Sequence, residues 1–447
     1  MEDRDRTIRR SLIYSVTDGS FHAAMLGFGE SFFAAFAVFL GANNIHLALL
    51  GSLPALFGSV SQLFTHRFIR IMKSRKALVS GAALAQALMH IPVILVFFFG
   101  NLSTEILILF VCIYYVFGMI LGPAWNSWMG DLVDENRRGA YFGRRSKITG
   151  FATCAATFTA GYILHSYSGA RTYEYTGFFF IFLIAMLFRI VSFSFLRKQY
   201  EPLYEAAPKA EFSLFEFIRE ARFRNYGRFV LYLCFMNFSV HLSAPFIVPY
   251  LLKDLKFDYM TFTMIMTSAL VVKFLAMPVW GKASDQFGTK KVLTLSGFLM
   301  PLVPLLWVFS GNVYYLIAIQ LYSGFIWAGF EISSFNFVFD TTSPRKRATG
   351  VAYYNVLNGV CVFAGAVAGG LIVRSNELFW SKYFLVFIAS AVLRYAASVV
   401  FIPKLKEVRA VEDIDLPRLF FKIVSTMPTI GPVYNLIPFV RKQDRKD

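Results

Sequence analysis

Residues 259–310 read YMTFTMIMTSALVVKFLAMPVW, GKASDQFGTKK, VLTLSGFLMPLVPLLWVFS: two apolar blocks, 259–280 and 292–310, joined by the charged turn 281–291. A helix that crosses a bilayer needs roughly 20 apolar residues, and both blocks come close to that length. The pattern repeats along the chain. Apolar blocks fall at 19–41, 45–66, 77–99, 105–128, 147–167 and 176–196, then at 228–251, 259–280, 292–310, 313–338, 348–373 and 380–402. Apolar residues make up 57% of the 447 positions and charged residues only 16%, where a soluble domain runs nearer a quarter charged. The predicted fold is all-α and membrane-spanning, with twelve transmembrane helices. A soluble enzyme, a disordered chain and a disulfide scaffold are excluded.

The chain carries 44 Lys and Arg against 27 Asp and Glu, a formal charge of +17. In a soluble protein such an excess suggests nucleic acid; among apolar spans it marks loops retained in the cytoplasm. With the N-terminus inside, outward loops hold only Arg171, Lys253, Lys256, Arg374 and Lys382, and Arg189, Lys273 and Arg394 lie within blocks. The other 36 bases fall on the inner side. Both termini are therefore expected in the cytoplasm, and the short outward loops suit a bacterial inner membrane. Cys112, Cys154, Cys234 and Cys361 sit in four different blocks with no CxxC or His/Cys cluster, so no metal, cofactor or disulfide is expected.

Five segments follow: a cytoplasmic start at 1–18, a six-helix bundle at 19–196, a linker at 197–227, a second bundle at 228–402 and a tail at 403–447. In the linker Phe212, Phe215 and Ile218 recur at helical spacing opposite Glu216, Arg219 and Glu220, the pattern of an interfacial helix. The tail is apolar but broken by Pro428, Pro432 and Pro438, so it is expected to lie at the interface. The halves repeat. Asp131, Arg137, Arg138 and Asp340, Lys346, Arg347 share one spacing, Arg189 and Arg394 occupy matching places, and Ser80-Gly81 matches Ser296-Gly297. A duplicated six-helix unit is the parallel-repeat plan of some secondary transporters.

The turn Gly281-Lys-Ala-Ser-Asp285-Gln-Phe-Gly288-Thr-Lys290-Lys291 resembles the GxxxD(R/K)xGR(R/K) signature of the major facilitator superfamily, with Gln286 in place of a usual base. Its glycines suit a tight turn, and Lys290 and Lys291 suit anionic headgroups. The first-half counterpart is eroded: Thr65 stands for Gly and Ile69 for Asp, leaving Arg67, Arg70, Lys73, Arg75 and Lys76. The resemblance covers roughly residues 10–403. It implies two six-helix bundles that rock about a central site, lined by the first, fourth, seventh and tenth helices. It also implies a latching role for Gly281, Asp285, Gly288, Lys290 and Lys291, and for the loops of Asp131, Arg137 and Arg138 and of Asp340, Lys346 and Arg347.

A charge at the bilayer centre costs roughly 2.5–3.5 kcal/mol on insertion scales, so each one needs a reason. Glu30 lies mid-block in the first helix, where a carboxyl can stay neutral and then release a proton when water or a cation arrives. Glu331 in the tenth helix could relay protons, or close a gate with Arg347 or Arg394. His241 is the other natural proton carrier, or else a hydrogen-bonded core residue. Lys273 is a counter-ion to Glu30 or to an anionic substrate, or it snorkels. Arg189 and Arg394 are expected to pair structurally with Asp131 and Asp340, or to snorkel. Trp327, Trp125, Asn237, Asn355 and Asn358 are candidates for contacting a solute, while Gly359, Gly365, Gly369 and Gly370 let the eleventh helix approach a partner.

No HExxH, GxSxG or GxxxxGK[ST] motif is present, so neither an enzyme nor a nucleotide-driven pump is expected. The expected function is a monomeric secondary carrier for a small organic solute working by alternating access, with proton-coupled antiport of a lipophilic or amphipathic compound foremost. A proton-coupled symporter of an organic anion or sugar, and a lipid flippase, stay open. The expected partners are the solute, a coupling proton and the bilayer, without nucleic acid.

Overall fold

The computed structural model describes residues 2–134, 138–202, 214–341, 344–375, 378–379, 381–409 and 411–426. Among them every regular element is helical. Ten helical stretches are long and apolar enough to cross a membrane. One of these, Arg75–Leu132, is 58 residues long. It turns back at Gly100, whose φ of 60° and ψ of −122° suit only a residue without a side chain, and the fourth helix then runs Ser103–Leu132. Arg138–Ser166 adds a further helix of 29 residues. With these two adjustments the helices follow the twelve apolar blocks.

Several spans are segmented where the sequence withholds a backbone donor or a side chain. The first helix begins at Glu2 and runs to Phe28, so the start read as 1–18 is its first half, and Asp18 is buried within it. The second crossing consists of Asn44–Leu50, Leu53–Ser61, the turn Gln62–Phe64 and Thr65–Met72. Gly51 ends its first piece, and Pro54 sits in the opening turn of the next, where a missing N–H costs nothing. The seventh helix, Asn225–Ser243, breaks up around Pro245 and Pro249. In the linker Leu214–Ala221 is helical, with Phe215 75% and Ile218 47% exposed; the Phe212 of that pattern lies outside the described residues. Among its described residues the tail contributes one short helix, Leu416–Ser425.

The chain packs as two compact units that do not coincide with its two sequence halves. Unit 1 comprises Met1–Glu211, Asn237–Thr267 and Ala352–Ser390, and unit 2 comprises Phe212–Met236, Ser268–Val351 and Ala391–Asp447. Unit 1 thus takes in second-half segments from the ends of helices remote from the termini. Polar contacts pin them to the first half: Lys253 Nζ donates to the Ala42 carbonyl at 2.5 Å, Tyr383 to Asn44 at 3.2 Å and Tyr259 to the Glu174 carboxylate, while His165 Nδ1 lies 3.3 Å from Asp258. Burial alone would raise the Asp258 carboxyl, but the Thr261 hydroxyl, the amides of Thr261 and Met260, and His165 hold it below the usual carboxylate range. In the same unit the eleventh helix, Pro344–Ser375, meets the seventh backbone to backbone: a Cβ on Gly365 or Gly369 would collide with the carbonyl of Phe238 or Leu242. The glycine-rich helix is built for close approach, as expected.

At the end of unit 1 that carries the N-terminus, Ile69, Leu78, Val79, Ala124, Trp128 and Leu196 form a buried cluster. Ile69, where the signature would have an acid, is 2% exposed and belongs to this core.

Candidate functional site

The first helix stops at Gly29, and Glu30–Phe32 forms a single 3-10 turn before Phe33–Phe39 resumes. The third helix packs against the break so closely that a Cβ on Gly29 would lie 2.9 Å from His90 Nε2. Half-buried Glu30 points its carboxylate at the fourth helix: Tyr115 donates to Oε1 at 2.7 Å and Tyr114 faces Oε2 at 3.5 Å. The Tyr114 hydroxyl also lies 2.9 Å from Met25 Sδ. Two phenols supply what water would otherwise provide, and a hydrogen-bonded carboxyl in a span is far cheaper than a bare one. A carboxyl held by neutral hydroxyl donors can gain or lose a proton without breaking an ion pair. The tyrosines escaped sequence reasoning; their only signal is an adjacent pair inside an otherwise mostly aliphatic block.

Unit 1 also gathers four of the other candidates. Asn237 Nδ2 donates to Asn358 Oδ1 at 2.7 Å, and His241 Nδ1 lies 3.0 Å from the Asn237 carbonyl, so His241, Asn237 and Asn358 form one polar group on the seventh and eleventh helices. Asn355 donates to Gln62 Oε1 at 2.8 Å. All four candidates are half-buried. Trp125 has a different neighbour: the Arg145 guanidinium stands 4.4 Å from its ring centroid, and Arg145 Nε donates to the Ser15 carbonyl at 3.2 Å.

In unit 2, Lys273 lies 3.0 Å from Glu331, and the pair is part-exposed at 21% and 40%. This corrects two expectations. The partner of Lys273 is Glu331 and not Glu30, and Glu331 meets the eighth helix and not Arg394. Trp327 packs edge-on against Phe330 at 5.9 Å.

The expected arginine pairs also change. Arg189, 2% exposed, donates to Ser192 Oγ at 3.0 Å, and Ser192 donates to Asp18 at 2.8 Å. Asp131 belongs instead to Arg75, at 2.6 Å, and Glu201 reaches the same arginine at 3.8 Å. Glu201 also accepts from the amides of Arg75 and Lys76 at 2.6 and 3.2 Å, capping the third helix where a negative charge is favoured. Arg394, buried, reaches the Met300 carbonyl at 3.5 Å, while Asp340 is held elsewhere.

The turn 281–291 is tighter than its two glycines suggest. Gly281 lies inside the eighth helix, Tyr259–Phe287, and Gly288 alone makes the turn, at φ 96° and ψ 145°. A strap of tail residues locks it. Arg409 bridges Asp285 at 3.1 Å and Asp340 at 2.8 Å, the Glu407 carboxylate accepts from the Lys290 amide at 2.8 Å, Lys291 pairs with Asp413, and Gln286 donates to Glu412 at 2.9 Å. The Lys291 ammonium therefore meets an acid of this chain, while Lys290 is held through its backbone amide. Thr289 donates to Asp340 at 2.8 Å. Burial would lower the Arg409 guanidinium, but Asp340 and Asp285 together hold it above its ordinary value, and Lys291 holds the Asp413 carboxyl below its own. Arg137 and the side chains of Arg138, Lys346 and Arg347 lie outside the described residues.

The profile of the Major Facilitator Superfamily matches residues 229–429. The nucleoside transporter NupG superposes with a TM-score of 0.65 at 14% identity, covering 90% of this chain and 100% of its own. A bacterial homolog of the human lysosomal transporter Spinster, inward-facing and occupied, gives 0.64 at 14% identity, covering 94% and 98%. Over residues 229–429, less than half of its length, the chain is similar to that superfamily, and the two superpositions show the same fold. The chain is a multi-pass integral membrane protein. Solute carrier family 22 member 18 of Rattus norvegicus is 30% identical over 142 residues, 30% of this chain and 32% of the rat protein. The curated relatives it matches are thus spanned over about a third of their length or less. These matches are to transporters, not enzymes.

Arg409 is the base that sequence reasoning missed. It stands beyond the twelfth helix, and nothing in its spacing ties it to acids more than 60 residues upstream. Arg409→Gln is expected to release the strap, speeding amide hydrogen exchange at Lys290 and Glu412, whose N–H groups are held by Glu407 and by the Gln286 carbonyl, by at least tenfold. Unchanged protection at both amides would contradict a locking role.

Proposed function

We propose that the protein is a secondary active transporter that moves a small organic solute by alternating access and exchanges it for a proton at Glu30. One observation carries this: a half-buried carboxyl at a break in a transmembrane helix, held by two phenolic hydroxyls and not by a cation. The paired Lys273 and Glu331 favour antiport over organic-anion symport, because a substrate carboxylate would have to displace Glu331 from the lysine. The His241, Asn237 and Asn358 group offers hydrogen bonds to a largely uncharged, amphipathic cargo. Opening the end remote from the termini would require release of the Lys253, Tyr259, His165 and Tyr383 contacts. The loop charges support cytoplasmic termini. The nucleosides in the name of NupG belong to that protein; at 14% identity its likeness carries the fold alone.

The test is reconstitution in liposomes with an imposed pH gradient, offering lipophilic cations, organic anions, sugars and a fluorescent phospholipid in turn. Uptake of a lipophilic solute driven by a gradient acid inside is expected. Gradient-independent movement of the phospholipid alone would favour a flippase and overturn the exchange mechanism.

A further inference from the structure

The two halves neutralise their basic turns differently. In the second, Lys291 meets Asp413 and Arg409 meets Asp285 and Asp340. In the first, Arg75 is satisfied by Asp131 and Glu201. The preceding Arg67, Arg70 and Lys73 are all exposed, and none makes an ion pair among the described residues. Ile69 stands where the second half has Asp285, and it is sunk in the core, so this turn carries no acid at that place.

A groove of about 420 Å³ adjoins the same turn, between the second, third and fourth helices. Phe57, Phe64, Phe68 and Met72 line it from the second helix, Gly81 from the third and Phe117 from the fourth. Phe68 and Met72 stand on the short helix Thr65–Met72 that also carries Arg67 and Arg70, so apolar wall and cationic rim are one element. Gly81 keeps the groove open: a Cβ there would meet nothing within 4 Å. The lining is almost wholly apolar and its volume suits one hydrocarbon chain. Asp131 and Glu201, which reach the start of the third helix, are occupied by Arg75.

We propose that this groove and its rim bind one anionic phospholipid from the leaflet on the side of the termini. An acyl chain lies against Phe57, Phe64 and Phe68, and the phosphate meets Arg67, Arg70 and Lys73. Charge selects the headgroup, since clustered bases beside a membrane span attract anionic lipid, and the groove selects a long chain.

The experiment uses the full chain, taken from nanodiscs of equal phosphatidylglycerol and phosphatidylcholine and examined by native mass spectrometry. One retained phosphatidylglycerol is expected, preferred about tenfold over phosphatidylcholine. The triple variant R67Q/R70Q/K73Q should bring the two lipids to parity, and Gly81→Leu, which fills the groove and leaves the charges alone, should lower retention of both. Dihexanoyl phosphatidylglycerol, the same headgroup on short chains, should fail to compete with the wild-type complex. Equal retention of the two lipids by the wild type, a preference that survives the triple variant, or full displacement by the short-chain lipid would each overturn the site. The wild-type ratio and the chain-length competition decide even if a variant fails to fold.

Discussion

Glu30→Gln is expected to abolish solute accumulation while leaving solute exchange running. If one proton is exchanged per solute, each unit of pH gradient is worth about 1.4 kcal/mol, a tenfold solute gradient at equilibrium. Across two units the wild type should concentrate its substrate about a hundredfold, and the Gln variant should level it near unity. Exchange of labelled for unlabelled solute needs no net proton movement and should persist. Tyr115→Phe removes the 2.7 Å hydrogen bond to the carboxyl but leaves it titratable, so the gradient should survive with its pH dependence moved. Transport followed by filtration at matched protein density separates the two. A Gln variant that still accumulates solute would remove Glu30 from the coupling step.

Arg75→Gln should be the most destabilising single change at the basic turns. Arg75 is 1% exposed and serves Asp131 and Glu201 at once, and removing one partner from a buried charge group costs about 3 kcal/mol. Asp131 is 53% exposed, so Asp131→Asn should cost less than about 1 kcal/mol. Thermal unfolding in one detergent should show a drop of several degrees for Arg75→Gln and little for Asp131→Asn. Equal small shifts would mean that the turn is held by packing around Ile69 and Trp128 and not by charge.

The sequence made the spans legible because twelve apolar blocks of bilayer length leave few other folds open. The repeat was legible too, and it found Asp131 and Asp340 as counterparts: both hold bases at the ends of the fourth and tenth helices. What it could not supply was the partner. Spacing tied Arg189 to Asp131 and Arg394 to Asp340, whereas tertiary packing gave Asp131 to Arg75 and Asp340 to Arg409. Asp18 looked like part of a solvated start because charged residues precede it, yet the helix begins at Glu2 and buries it beside Ser192. Glu30 stood out as an acid in an apolar block. Its phenol donors did not, because two tyrosines in a span read as packing until the fold turns them toward a carboxyl.

If substrate and proton compete through Glu30, substrate binding must expel a proton. The competition is tested most directly by proton release on substrate binding, read with a pH dye in weakly buffered detergent solution, for the wild type and Glu30→Gln. Release of a proton by the wild type and none by the variant is expected. No release from the wild type on saturating binding, or the same release from both, would contradict that competition.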